Sequence, residues 1–191
     1  MATRFLISLL LISGYALTSA TTAENTEFGR PLNRKLAGWN KKKQLTHFKF
    51  YWHEVVGGNN ATAAIIIPSL PQYNSTSHFG STRVIDAPLT LGPELSSKHV
   101  GRAEGFYAVT SRTDLELLMI LSFNFFEGKY NGSGITVLGR NLALNKTREL
   151  PVVGGSGVFR FAKGYAELKT YFVEPISGSS IVEYNLYVLH Y

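Results

Sequence analysis

Leu45-Thr46-His47-Phe48-Lys49-Phe50-Tyr51-Trp52-His53-Glu54-Val55-Val56 is the stretch on which the fold of this chain turns. Side chains of a strand alternate between two faces, so this run puts Phe48, Phe50, Trp52 and Glu54 on one side and His47, Lys49, Tyr51 and His53 on the other. Three rings share a face with one acid. If that face is the interior of a sheet structure, the charged form of Glu54 is poorly hydrated there and its pKa rises, which fits a proton donor or acceptor. The plainer alternative leaves Glu54 at a strand end near water.

The chain beyond this strand repeats its style. The turn Gly57-Gly58-Asn59-Asn60 is placed to close a hairpin onto Ala61 to Pro68. Further strands are expected at Ser81 to Asp86, ended by Pro88, then at Val100 to Thr110, Leu115 to Phe126 and Gly134 to Gly139. Val158 to Lys163, Tyr165 to Phe172 and Ile181 to Tyr191 complete the set. Gly154-Gly155-Ser156-Gly157 marks a sharp bend or a close approach of backbones. About eight consecutive antiparallel strands predict an all-β fold, an eight-stranded antiparallel β-barrel with a central pocket, because closure removes exposed sheet edges. A sandwich satisfies the same periodicity. A barrel of this strand number has an interior filled by side chains or wide enough for one small ligand.

Composition narrows the function classes. The chain has 191 residues, 45% of them hydrophobic and 17% charged, the profile of one globular domain. Its 12 Phe and 10 Tyr suit a ring-lined pocket, and the absence of cysteine excludes a disulfide framework, a thiol nucleophile or a cysteine-bound metal. The net charge of +6 is concentrated near the N-terminus. From Lys49 onward there are twelve basic residues against eleven acids, so no nucleic-acid partner is implied.

Residues 1–23 read as a secretory signal peptide: Arg4, an apolar run from Phe5 to Leu17, then small residues ending at Ala20 or Ala23. No later stretch is long enough to span a bilayer, so no membrane role is expected. Residues 24–44 read as a flexible basic leader and residues 45–191 as the barrel domain. Four acceptor sequons, at Asn60, Asn74, Asn131 and Asn145, fit glycosylation on the secretory route.

Candidate chemistry is sparse. The five histidines are scattered without metal-ligand spacing, and no nucleophile elbow, phosphate loop or dinucleotide fingerprint is present, so neither a metal nor a cofactor is expected. The polar groups close to strand ends that are placed to converge on a guest are Glu54, Tyr107, Arg148 and Asp86.

Several motifs occur in order: Phe50-Tyr51-Trp52-His53-Glu54, Gly101-Arg102-Ala103-Glu104-Gly105-Phe106-Tyr107, Glu127-Gly128-Lys129-Tyr130-Asn131-Gly132-Ser133, and Lys146-Thr147-Arg148-Glu149-Leu150 followed by Gly154-Gly155-Ser156-Gly157. From about Leu45 to Tyr191 the chain resembles the plant dirigent family. The resemblance implies a secreted cell-wall (apoplast) protein assembled as a homotrimer. Such a protein controls the stereochemistry of phenylpropanoid coupling while an external oxidase, a laccase or peroxidase, makes the phenoxy radicals. By motif, Glu54 stands where the family carries an aspartate, and Tyr107 and Arg148 match the pocket tyrosine and arginine. All three are implied to be catalytic, with Phe50, Trp52, Asn141 and Asp86 as substrate-binding candidates. Asn141 is an amide where lignan-forming members carry a second aspartate, and an amide cannot serve as an acid at neutral pH. The chain is therefore more similar to the branch that includes pterocarpan synthases, in which a 4-hydroxyisoflavan loses water to a quinone methide and an internal phenol closes a ring. Three functions stay open: a non-oxidising stereochemical guide, a ring-closing dehydratase, and a secreted phenolic-binding or defence protein.

Overall fold

The computed structural model describes Asn33 and residues 42–191. The expected signal peptide and nearly all of the leader lie outside the described residues. Among the described residues nine strands follow in order: β1 (Gln44–Glu54), β2 (Ala63–Ile67), β3 (Thr82–Thr90), β4 (His99–Val109), β5 (Glu116–Phe125), β6 (Gly134–Leu142), β7 (Arg148–Gly155), β8 (Lys163–Val173) and β9 (Ser180–His190). Neighbours pair in the order β1-β9-β8-β7-β6-β5-β4-β3, and β1 meets β3 at Tyr51–Thr90 and Trp52–Leu89. Eight antiparallel strands thus close a barrel, with β2 added outside the closed ring on the free stretch of β3.

Period-2 alternation fills the interior. Phe50 and Trp52 of β1 meet Leu121, Phe123 and Phe125 of β5, Ile135 and Val137 of β6, Leu150 and Val152 of β7, and Tyr184, Leu186 and Val188 of β9. Phe50 is the hub, edge-on to Phe123 at 5.1 Å between ring centroids and stacked on Tyr184 at 5.7 Å. Gly105, at φ +153°, shows what the β4–β5 ladder demands: a Cβ there would run into the Ile120 carbonyl.

Four local expectations are corrected. The Gly57–Asn60 turn closes no hairpin between β1 and β2; Val56 meets Ala63 in a single parallel bridge, and β2 pairs with β3 instead. Closing the ring at Leu89–Thr90 occupies the edge of β1 that such a hairpin would need. β3 runs through Pro88 to Thr90. Asp86 gives its N–H to the Thr62 carbonyl, so Pro88, two residues on, turns its missing donor to the same side, between the β2 and β1 pairings, where no ladder bond is lost. Residues 148–155, not expected as a strand, form β7; its β6 pairing runs only from Gly155 to Val152, so Pro151 takes no part in it. Val158–Lys163 is not a strand: Gly157–Phe159 is a 3-10 turn that drops Phe159 into the core.

Candidate functional site

Antiparallel order brings the C-terminal ends of β1, β4, β6 and β8 and the N-terminal starts of β3, β5, β7 and β9 to one end of the barrel. The inward polar residues Glu54, Arg83, Tyr107, Asn141, Arg148 and Ser180 lie there, while His190, the last residue of β9, lies at the other end. Glu54, the last residue of β1, is only 7% exposed, so the water-facing alternative for it falls. Its Oε1 accepts a hydrogen bond from the Tyr107 hydroxyl at 2.6 Å, and its Oε2 accepts one from Ser180 Oγ at 3.3 Å. Arg83, on the inward side of β3, reaches in from the mouth. Its Nη1 donates to the Tyr107 oxygen at 3.1 Å and stands 3.8 Å from Glu54 Oε1.

Burial dominates the electrostatics of this group. It raises the Glu54 pKa above the usual 4.5, against the lowering effects of the Tyr107 bond, the Arg83 charge and Ser180. Tyr107 is pushed well above the ordinary phenol range, first by burial and then by the neighbouring Glu54 charge. Its hydroxyl therefore keeps its proton and serves as a donor.

A second set of groups faces the same interior without partners. Arg148 at the start of β7 gives Nη1 to the Ala143 carbonyl at 3.0 Å, while its Nε and Nη2 are buried and unpaired. Burial lowers its pKa from the guanidinium value, and the Tyr184 hydroxyl opposes that shift. Asn141 uses its amide nitrogen on Met119 Sδ at 2.9 Å and leaves Oδ1 unmet. Trp52 Nε1 and the Tyr184 hydroxyl are buried and unmet as well. Burial raises the Tyr184 pKa, and the Arg148 and Glu54 charges then act on it in opposite directions, so its hydroxyl lies within electrostatic range of both sets. Buried polar atoms are nearly always satisfied, so this concentration of unmet donors and one acceptor suits a polar guest.

Of the sequence candidates, Glu54, Tyr107, Arg148, Trp52 and Asn141 converge on the mouth. Phe50 lies one layer deeper, packed in the aromatic core. Asp86 does not converge: it points outward from β3 and pairs with Arg102 of β4 at 2.6 Å. It is flanked by the inward Ile85 and Ala87, which fixes its face. Arg83, Ser180 and Tyr184 escaped sequence reading because their strands are remote in the chain and only the ring brings them to Glu54. The sequons Asn60, Asn74, Asn131 and Asn145 are all exposed on connections between strands. A groove on the outer wall between β5, β6 and β7, lined by Ser122, Asn124, Thr136 and Gly154, contains none of the site groups.

The fold and this end of it define a closed antiparallel barrel with an acid, a tyrosine and two arginines at one mouth. The family described as Dirigent-like protein matches residues 45–189, and the chain belongs to the dirigent family. It is 46% identical over 183 residues to Dirigent protein 7 of Arabidopsis thaliana, covering 96% of this chain and 94% of that one. It is 38% identical over 191 residues to Pterocarpan synthase 1 of Glycyrrhiza echinata, covering 100% and 98%. The solved structure of a pterocarpan synthase dirigent protein superposes with a TM-score of 0.74 at 40% identity, covering 79% of this chain and 87% of that one.

Proposed function

We propose that this protein is a secreted dirigent protein that holds a small phenolic in its barrel and sets the stereochemistry of its reaction through a quinone methide or a phenoxy radical. Where radicals react, an external laccase or peroxidase supplies them. The observation that carries the reading is the pairing, at one mouth, of a buried acid bonded to Tyr107 with the unmet donors of Arg148 and Trp52. The donors suit the ring oxygen of a phenol, and the acid suits a leaving hydroxyl.

The ring-closing dehydratase is the specific form that this geometry favours, since one acid is buried here and Asn141 cannot be a second. Glu54 gives its proton to the leaving hydroxyl as the carbon–oxygen bond breaks and water departs. The conjugated ring hydroxyl passes its proton to the departing water and becomes the quinone methide carbonyl, held by Arg148. An internal phenol oxygen then attacks the methide carbon, its proton returns to Glu54, and the ring oxygen takes its own proton back from solvent. The net change is loss of one water.

Secretion, glycans on the exposed sequons and homotrimer assembly belong to the same reading. An outward apolar row supports assembly: Val84, Phe106, Ile120 and Leu138 lie side by side across β3, β4, β5 and β6. The test is chiral chromatography of two reactions, coniferyl alcohol with an external oxidase and racemic 4-hydroxyisoflavans without one. Enantiomeric excess in the first supports a coupling guide, and consumption of one alcohol stereoisomer in the second supports the dehydratase. Binding of phenolics without either effect would leave only a storage or defence protein.

A further inference from the structure

Arg83 has no place in the chemistry just described, yet it is the charged group nearest Glu54 among the described residues. Its Nη1 donates to the Tyr107 oxygen at 3.1 Å, and Tyr107 in turn donates to Glu54 Oε1 at 2.6 Å. The direction of this chain is fixed at one end, because a guanidinium has only donors. An oxygen that accepts from Arg83 turns its own hydrogen elsewhere, and the acceptor within reach is Oε1. Oε1 is thus already hydrogen-bonded and faces the positive charge. Among the described residues Oε2 meets only Ser180, at 3.3 Å. The two oxygens of one carboxyl are made unequal by their neighbours.

We propose that Arg83 is a positioning residue of this site, acting through Tyr107 to hold Oε1 as the proton-poor oxygen of Glu54 and so to commit Oε2, on the Ser180 side, as the atom that gives up the proton. This deepens, and rests on, the reading of Glu54 as the acid. The groups that face Glu54 are Arg83 from β3, Tyr107 from β4, and Ser180 and Tyr184 from β9, with Arg148 of β7 reaching it only by way of Tyr184. Of these, Arg83 is the cation in direct range. Its side chain is about a quarter exposed, so it enters from the rim and leaves the interior to the guest.

The position has a second consequence. Arg83 favours the anionic form of Glu54 while burial favours the neutral form. Arg83 therefore sets how far up the pH scale Glu54 remains an acid, and its removal moves the descending limb of a pH–rate profile upward.

The test compares wild type, Arg83→Met and Arg83→Lys as full secreted proteins. Glu54 is titrated by carbon-13 NMR of glutamate carboxyl carbons, with Glu54→Gln assigning the resonance. The expected result is a Glu54 midpoint shifted upward in Arg83→Met and returned toward wild type in Arg83→Lys. An unshifted midpoint in folded Arg83→Met overturns the proposal, whatever the protein's substrate proves to be. Kinetics on the alcohol that turns over give the second readout: kcat is expected to fall about tenfold or more in Arg83→Met with KM near wild type, because Tyr107 loses its orientation. A rise in KM with kcat unchanged would make Arg83 a guest-binding residue and overturn the positioning role. A shifted midpoint with no turnover of any phenolic would count against the dehydratase reading while supporting the Arg83–Tyr107–Glu54 chain.

Discussion

The Tyr107 hydroxyl donates to Glu54 Oε1 across 2.6 Å, joining the inward faces of β4 and β1 at the barrel mouth. A carboxyl buried beside a phenol that keeps its proton favours its neutral form, and the proposed acid chemistry depends on that form.

Replacing the acid by its amide tests this directly. Glu54→Gln is expected to lower dehydration by about 100-fold or more, the usual scale for loss of a general acid. The barrel and guest binding are expected to persist, because the amide keeps the shape and an acceptor for Tyr107. Product analysis beside a circular dichroism spectrum checks both halves, and full activity in the variant removes Glu54 from the mechanism.

Stability should carry the same signature. The folded-state pKa of Glu54 lies above its ordinary value, so its contribution is fully present below the unfolded pKa and is lost as pH rises through the folded one. Relative to Glu54→Gln, wild type is expected to lose Tm as pH rises above the ordinary carboxyl value of 4.5. Thermal melts of the two proteins across that range give the difference, and a flat difference would mean that Glu54 does not change its charge there. Activity that needs the neutral acid declines in the same direction.

Arg148 is buried with no carboxylate partner among the described residues, so its charge suits the proposed guest better than it suits the fold. Arg148→Met is expected to weaken phenolic binding about tenfold or more while leaving stability within about 1 kcal/mol of wild type or above it. Quenching of tryptophan fluorescence, with Trp52 in the site, reads the first quantity and denaturant unfolding the second. A large loss of stability would make Arg148 structural.

Phe50 is the opposite case. Its ring touches Phe123, Phe125 and Tyr184 in the core, and Phe50→Ala is expected to cost about 3–5 kcal/mol. Urea unfolding measures this, and a cost below about 1 kcal/mol would show a loosely packed interior.

Phe106, 41% exposed in the outer apolar row, tests assembly. Phe106→Glu is expected to convert the proposed trimer to monomer with the barrel intact, because a charge would be stranded in an apolar contact. Sedimentation velocity decides it: a trimeric variant places the interface elsewhere, and a monomeric wild type removes the trimer from the proposal.

Much of the fold and half of the site were legible along single strands. The alternation of Phe48, Phe50, Trp52 and Glu54 is a local property of extended backbone, and it places the acid among rings without knowledge of any partner strand. Placement near strand ends added Tyr107 and Arg148, and the motif resemblance then gave them their implied roles and brought in Asn141. Alternation failed where both faces of a segment are apolar: Val84 and Ile85 are adjacent, so nothing in residues 81–86 says which parity is inward, and Asp86 was assigned to the wrong face. Proline hid two stretches, at Pro88 and Pro151, because the side of a strand that lacks a partner is visible only once the neighbours are placed. Tertiary structure alone decided that β1 closes on β3 and that β2 stays outside the ring. That closure sets Arg83, Tyr107, Ser180 and Tyr184 around Glu54, since hydrogen-bond register between strands far apart in the chain is a property of the whole barrel and of no single segment.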